Sequence, residues 1–389
     1  MRRCVICPET RRGSQLDIDI RIELRIALVP LGDWDRIGDH LKKAEVLARS
    51  LGEQHRLGQI ATLMMNQCRL IGDYDAALKF GQEALTIART LGDRSIEAVA
   101  TFAHYSTHAV RGEYAEAAKM LEQKGKLRAE RSGSPVIPPA MSEYALALVL
   151  APLGRFDEAI GHGEAAVRVA EETDHPWRLF LGLLHLGWAH LGRGDFPRAC
   201  RVLERCLHFS HTWQFVDRTP DVAATLGYAY AIADRTEESV AMVAGAVKEF
   251  RARRHHVAPF TILLSAGKTY LAAGRDDQAI NYARETLALT RRRGARGVEA
   301  TALSLIADIA TASGAEKAEG YYHEALSLAE PRGLRPQVAH CHFGLGKFYR
   351  RRGDRERAEK HLTTAMAMYH EMGMIYWPEQ AEVELRQLG

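Results

Sequence analysis

Apolar residues along the chain recur at i, i+3, i+4 and i+7, in segments of about 20 residues closed by glycine. The segment after Gly72 is representative. Ala76, Ala77, Phe80, Ala84, Leu85 and Ala88 line one helical face, with Lys and Glu between them. This spacing predicts a run of amphipathic helices. No alternating strand pattern competes with it.

The glycines set a longer period. A turn of the form Gly-charged-aromatic recurs at Gly32-Asp33-Trp34, Gly72-Asp73-Tyr74, Gly112-Glu113-Tyr114, Gly154-Arg155-Phe156 and Gly194-Asp195-Phe196. The glycine spacings are 40, 40, 42 and 40 residues. The series continues with Asp234 in place of glycine, then Gly274 and Gly353, with a degraded copy at Ser313-Gly314. A second set of breaks lies midway, at Gly52, Gly92, Gly133, Gly294, Gly333 and Gly373. Each unit is therefore a pair of helices. A glycine past a helix end takes the left-handed conformation that stops it. An acidic residue after the glycine suits the next helix N-terminus.

Alanines hold a fixed phase in the second helix. Ala77, Ala117, Ala159, Ala199, Ala279 and Ala358 lie five residues after the turn, and Ala84, Ala166, Ala246 and Ala365 twelve after it. Small side chains at one phase let neighbouring helices approach closely. A single pair cannot bury its apolar face, so the pairs must stack. The expected fold is an all-α, right-handed solenoid of about nine helix pairs. Residues 1–30 are expected to form a partial first repeat, frayed or truncated, and residues 31–389 the array.

"LGYAYAIAD", "AGKTYLAAG" and "LGKFYRRRG" resemble the tetratricopeptide pattern: a small residue in the first helix, an aromatic three later, then the turn. The period of about 40 residues departs from the family's 34. Residues 338–385 resemble the C-terminal tail of bacterial class III cyclases, in which a cyclase domain and a P-loop ATPase domain precede a tetratricopeptide arm. From about Pro8 onward the chain is similar to that arm alone. The resemblance implies a detached arm whose first helix lacks a packing partner. It carries neither catalytic activity onto any residue here.

Two Gly-Lys dipeptides, Gly267-Lys268 and Gly346-Lys347, invite a nucleotide-binding reading. A P-loop also needs a glycine five residues earlier after a strand, and Ile262 and Cys341 stand there. Gly187, Gly227, Gly267 and Gly346 instead share one position, seven residues before the turn. They are expected to be close-packing glycines, and no cofactor is expected.

Composition adds limits. The 389 residues are 47% hydrophobic, with a net charge of +3, which gives no electrostatic case for nucleic acid. No apolar run is long enough to span a membrane. The six scattered cysteines fit the cytoplasm. Cys4 and Cys7 lack a second ligand pair for zinc, and the neighbouring His340 and His342 diverge on a helix, so no metal site is expected. Arginine clusters at 251–254, 291–293 and 350–352 suit helix C-termini, with an acidic partner or nucleic acid as the alternative.

By the resemblance, first helices line a concave wall. That nominates Asn66, Arg69, Phe102, Ser106, Tyr144, Trp188, Tyr228, Lys268, Phe343, Lys347 and Arg350 as a groove for a protein or peptide. The expected function is a non-enzymatic interaction or regulatory arm in bacterial signalling. The alternatives are a sensor of small peptides or metabolites, and a fragment of an enzyme whose catalytic half is encoded upstream. Homo-oligomerisation is left open.

Overall fold

The helical period is realised throughout. The computed structural model describes residues 8–28, 33–129, 139–216, 218–252 and 259–388. Cys4, Cys7, Gly32, Gly133, Arg253, Arg254, His255 and His256 lie outside the described residues. Among the described residues are nineteen α-helices, two single-turn 3-10 segments and no strand. Among the described residues consecutive helices pack as hairpins in eight pairs, and the architecture is an all-α solenoid.

The chain divides into two compact units, residues 1–107 with 134–137, and residues 108–133 with 138–389. The first unit holds α1 (Pro8–Leu28), α2 (Trp34–Leu51), α3 (Gln54–Ile71), α4 (Tyr74–Leu91) and most of α5 (Arg94–Arg111). Ile18, Ile37, Leu41 and Ile60 are almost wholly buried at its centre.

The second unit continues from the end of α5 with α6 (Tyr114–Ala129), α7 (Pro139–Leu150), α8 (Phe156–Glu172), α9 (Pro176–Arg193), α10 (Phe196–Thr212), α11 (Thr219–Ile232) and α12 (Thr236–Ala252). It is completed by α13 (Pro259–Ala272), α14 (Asp276–Arg293), α15 (Arg296–Ala312), α16 (Ala318–Ala329), α17 (Arg335–Arg351), α18 (Arg355–Glu371) and α19 (Tyr376–Arg386).

The turn chemistry works as the sequence implies. Gly72 adopts φ 87°, and its N–H and that of Asp73 bond to the carbonyls of Arg69 and Cys68. The Asp73 carboxylate then accepts the Ala76 N–H at 3.1 Å and starts α4. Asp195 and Asp354 cap α10 and α18 in the same way. The in-phase alanines of the second helices are buried without exception, from Ala77 to Ala365.

Within the second unit the stack returns onto itself. The N–H of Ile375 donates to the Arg193 carbonyl at 2.9 Å, and Arg193 Nε donates to the Gly373 carbonyl at 3.0 Å. These partners are about 180 residues apart, between four and five repeats. Phe196 and Tyr376 meet edge to face at 5.1 Å. Gly154 abuts Met372, and Gly112 lies backbone to backbone against Gly297. First helices of that unit are thereby gathered around a shared interior.

Candidate functional site: the inner wall

The packing glycines orient the wall. A Cβ on Gly187, Gly227 or Gly346 would lie 2.5 Å from Leu203, Val243 or Leu362, side chains of the helix that follows in the same pair. Gly267 meets Leu305 at 2.7 Å and the α14 backbone beyond 3.4 Å. With that face of each first helix pressed on its own partner, the next residue is turned away from it. Trp188, Tyr228, Lys268 and Lys347 occupy that next position, and all four are half-buried. Gly267 and Gly346 are therefore helix-interior packing residues, not parts of a phosphate loop.

The degraded repeat contributes a fifth rung that the sequence reading passed over. Seven residues before Gly314 stands Ala307, and Asp308 follows it, half-buried like the others. The glycine series hides it, because alanine fills the packing position. Counting back from Gly314, which has φ 73°, recovers it.

Asp308 is the centre of a polar cluster. Its carboxylate accepts the Tyr322 hydroxyl at 2.7 Å, and that hydroxyl lies 3.3 Å from Thr311 Oγ1. Burial raises the Asp308 pKa from its ordinary value, while Lys347, the Tyr322 hydroxyl and Lys268 draw it back. Burial lowers the pKa of Lys268, and Asp308 opposes the shift. His340 is pushed down to about 3, first by burial and then by Lys268 and Lys347. It is neutral, with Nδ1 2.9 Å from the Tyr369 hydroxyl and its ring 4.6 Å from Trp377. Helices α13, α15 and α17 thus bring Lys268, Asp308, Lys347 and His340 within electrostatic reach of one another.

Aromatic rings continue the wall. Lys268 Nζ lies 5.3 Å from the Tyr228 ring centre, and Lys347 Nζ 4.7 Å from that of Phe343. Phe343 is itself buried, 6.3 Å from Tyr369 and 6.4 Å from Trp377. Tyr144 is buried 5.5 Å from His185, which stands 5.2 Å from Trp188. Trp188 Nε1 donates to Thr225 Oγ1 at 3.4 Å. Arg350 is committed to α19 through Glu384 at 2.6 Å.

The remaining nominated residues belong to the first unit. Asn66 and Arg69 are half-buried on α3. Phe102 and Ser106 are half-buried on α5, where the Ser106 hydroxyl donates to the Phe102 carbonyl at 2.7 Å and Phe102 meets Tyr105 edge to face.

Several described arginines of the basic clusters have partners in adjacent repeats, and Arg352 pairs with Glu316 of the preceding one. Arg251 pairs with Glu285, Arg291 with Glu324 and Glu299, and Arg350 with Glu384. Arg49–Glu83 and Arg205–Glu171 repeat the arrangement elsewhere in the array. These arginines staple repeats together, which leaves less of their charge for an acidic ligand. Among the described residues no group of three His, Cys, Asp or Glu side chains is placed to hold a metal ion. No helix there is long and apolar enough to cross a membrane.

Tetratricopeptide repeat models match residues 262–296 and 298–371, so this stretch of the chain is made of tetratricopeptide repeats. A kinesin light chain-related protein 1 from Arabidopsis thaliana is 41% identical over 73 residues, which span 18% of this chain and 12% of that protein. The Rap conjugation gene regulator of plasmid pLS20, solved in complex with the Phr* peptide, superposes with a TM-score of 0.57 at 12% identity. That match covers 96% of this chain and 98% of the regulator. A signal transduction ATPase with a tetratricopeptide repeat sensor, from Pyrococcus horikoshii, superposes with a TM-score of 0.53 at 14% identity, over 99% of this chain and 56% of that one. At these identities the structural matches establish the shared fold.

Proposed function

We propose that the chain is a non-catalytic tetratricopeptide scaffold that binds a peptide along the inner wall of its second unit. The observation that carries this reading is the ladder Trp188, Tyr228, Lys268, Asp308 and Lys347, one rung per repeat at one helical phase. Half-buried aromatics beside isolated cations offer apolar contact and orientation together, the chemistry of binding anchors. The Rap regulator, of the same fold over its length, was solved with a peptide. The test is selection from a random peptide library on the immobilised chain, followed by calorimetry. Trp188→Ala and Tyr228→Ala should each weaken the selected peptides by about tenfold or more, the scale of a buried anchor. Unchanged affinity in both would remove the inner wall as the site.

The finer reading places this scaffold in the cytoplasm as the regulatory arm of a bacterial cyclase–ATPase protein. It rests on the resemblance of residues 338–385 to such arms, and the sensor-bearing ATPase of the same fold is compatible with it. An in-frame ATPase coding sequence upstream of Met1 would support it; an unrelated gene there would not.

A further inference from the structure

The first and last helices of the array finish differently. In α17, Gly346 and His342 press on Leu362 and His361 of α18. Forty residues on, α19 carries Arg386 and Glu382 at those positions, the polar finish that ends a solenoid. On α1, Leu16, Ile20 and Leu24 recur a turn apart along one face and are 61, 49 and 37% exposed. On its other face Ile18 is wholly buried among residues of α2 and α3. Forty residues after Ile20 and Leu24, at the same phase, α3 carries Ile60 and Met64. Both are buried in one cluster with Ile37, Leu41 and Ala44 of α2, the second helix of the pair before. The repeat itself thus shows what covers this face elsewhere in the unit. An acidic residue adjoins the stripe. Glu97 and Glu299 each lie five residues after a glycine that ends a second helix, and each takes an arginine from that helix, Arg89 at 3.8 Å and Arg291 at 2.9 Å. Asp17 stands eighty residues before Glu97, at the same position of α1. It is bonded to Arg21 within α1, and its side chain stays 42% exposed.

We propose that the outer face of α1 seats a helix of a partner protein with the chemistry of a second repeat helix: alanine and branched aliphatic residues at helical spacing, and an arginine in its last turn. Leu16, Ile20 and Leu24 supply the apolar contact, read by anchors one turn apart. The arginine reaches Asp17, near the start of α1, so the partner helix runs antiparallel to α1, as a second helix does to the first helix after it. A second copy of this face fits less well. Across a two-fold axis at Ile20, Leu16 would meet Leu24, but Asp17 would face Glu23, like charge against like. The surface belongs to the first unit, and the proposal is independent of the peptide reading of the inner wall.

The probe is a labelled peptide of residues 33–52, which carries the α2 helix with Arg49 in its last turn. A lactam bridge on its polar face holds it helical, because an isolated helix of this length is marginal in water. The control peptide carries Ile37→Lys and Leu41→Lys. By fluorescence anisotropy the full chain should bind the probe about tenfold or more tightly than the control, the scale of buried anchors. Hydrogen exchange across residues 14–24 should slow with the probe alone. Leu16→Lys and Ile20→Lys, at exposed positions, should each weaken the probe about tenfold and leave the melting temperature and circular dichroism unchanged. Asp17→Asn should weaken it about threefold, the scale of a surface ion pair, and should not affect a probe carrying Arg49→Met. Equal binding of probe and control by the wild type overturns the proposal, as does a preference that both lysine variants retain. Sedimentation tests the competing occupant. A wild-type dimer that Ile20→Lys converts to monomers assigns the face to a second copy and overturns the partner helix, whereas a wild-type monomer that binds the probe supports it.

Discussion

At the four packing glycines, one methyl group separates tolerance from disruption, and the partner helix decides which. The contact lies sixteen residues downstream in each pair: Leu203 for Gly187, Val243 for Gly227, Leu362 for Gly346 and Ala283 for Gly267. Alanine favours a helix over glycine by about 1 kcal/mol. Opposite leucine or valine the added methyl overpacks, costing about 1–3 kcal/mol. Gly267→Ala should therefore be near neutral, since only the end of the Leu305 side chain must yield, while Gly187→Ala, Gly227→Ala and Gly346→Ala should destabilise. Urea unfolding of the four variants checks the order; Gly267→Ala as the worst of them would contradict it. A second single-residue prediction concerns Asp221, buried on α11 with Arg218 Nη2 at 2.9 Å. Burial raises its pKa from 3.8 to about 6, against the pull of Arg218. The folded state binds the proton more tightly than the unfolded state, so this stabilisation is complete below pH 3.8 and is lost as pH rises through 6. At 1.36 kcal/mol per pKa unit the loss is about 3 kcal/mol in all, of which roughly 2 falls between pH 4 and 7. Relative to Asp221→Asn, the wild type should lose that amount over this range in urea titrations, and a constant difference would refute the assignment. The glycines were legible in the sequence because they recur in register. Asp221 and Asp308 were not: nothing local distinguishes a buried aspartate from the many that lie on exposed helix faces.

Single elements are specified by their ends. The sequence shows nearly every turn because the left-handed glycine and the capping aspartate are chemical necessities with few substitutes. What the sequence could not show is how side chains pair between elements. The arginine runs, read as helix-end cations, reach glutamates some 34 residues away, and that partnership depends on the rotation between successive repeats. Asp73→Ala removes the bond to the Ala76 N–H and should cost about 1 kcal/mol. Asp234 provides the opposite case. It stands where other repeats have glycine, exposed and with φ 64°. A left-handed non-glycine residue costs roughly 1–2 kcal/mol, less for aspartate, and the added freedom of an unfolded glycine offsets part of the relief. Asp234→Gly should therefore raise stability by a few tenths to about 1 kcal/mol. Opposite shifts of the two urea midpoints are the expected result, and a destabilised Asp234→Gly would mean that its carboxylate has a role at the turn.

For the molecule as a whole, the decisive feature is the return of the second unit onto itself, which no short-range pattern announces. A 40-residue period fixes the pair, while closure depends on small rotations summed over several repeats. The polar cluster itself is assembled by first helices of consecutive repeats, α13, α15 and α17, and closure sets how the rest of the unit surrounds it. Gly297 tests closure most directly, because local and long-range arguments predict opposite signs. Gly297 lies in the first turn of α15 with ordinary helical φ, and a Cβ there would stand 2.5 Å from the Gly112 Cα and 2.7 Å from its carbonyl oxygen. Backbone on backbone cannot yield as a side-chain tip can. Helix propensity alone says that Gly297→Ala gains up to about 1 kcal/mol. If the returning repeats touch, overpacking makes it lose about 1–3 kcal/mol instead. Gly245→Ala is the control, a helical glycine in α12 with nothing within 4 Å of its Cβ, and it should show the propensity gain. Urea midpoints of the two variants should move in opposite directions, and Gly297→Ala should also weaken any ligand of the inner wall, since Asp308 lies on the helix it would displace. A Gly297→Ala variant as stable as Gly245→Ala would show that the repeats do not meet in solution, and that the wall around Lys268 and Lys347 is held by neighbouring repeats alone.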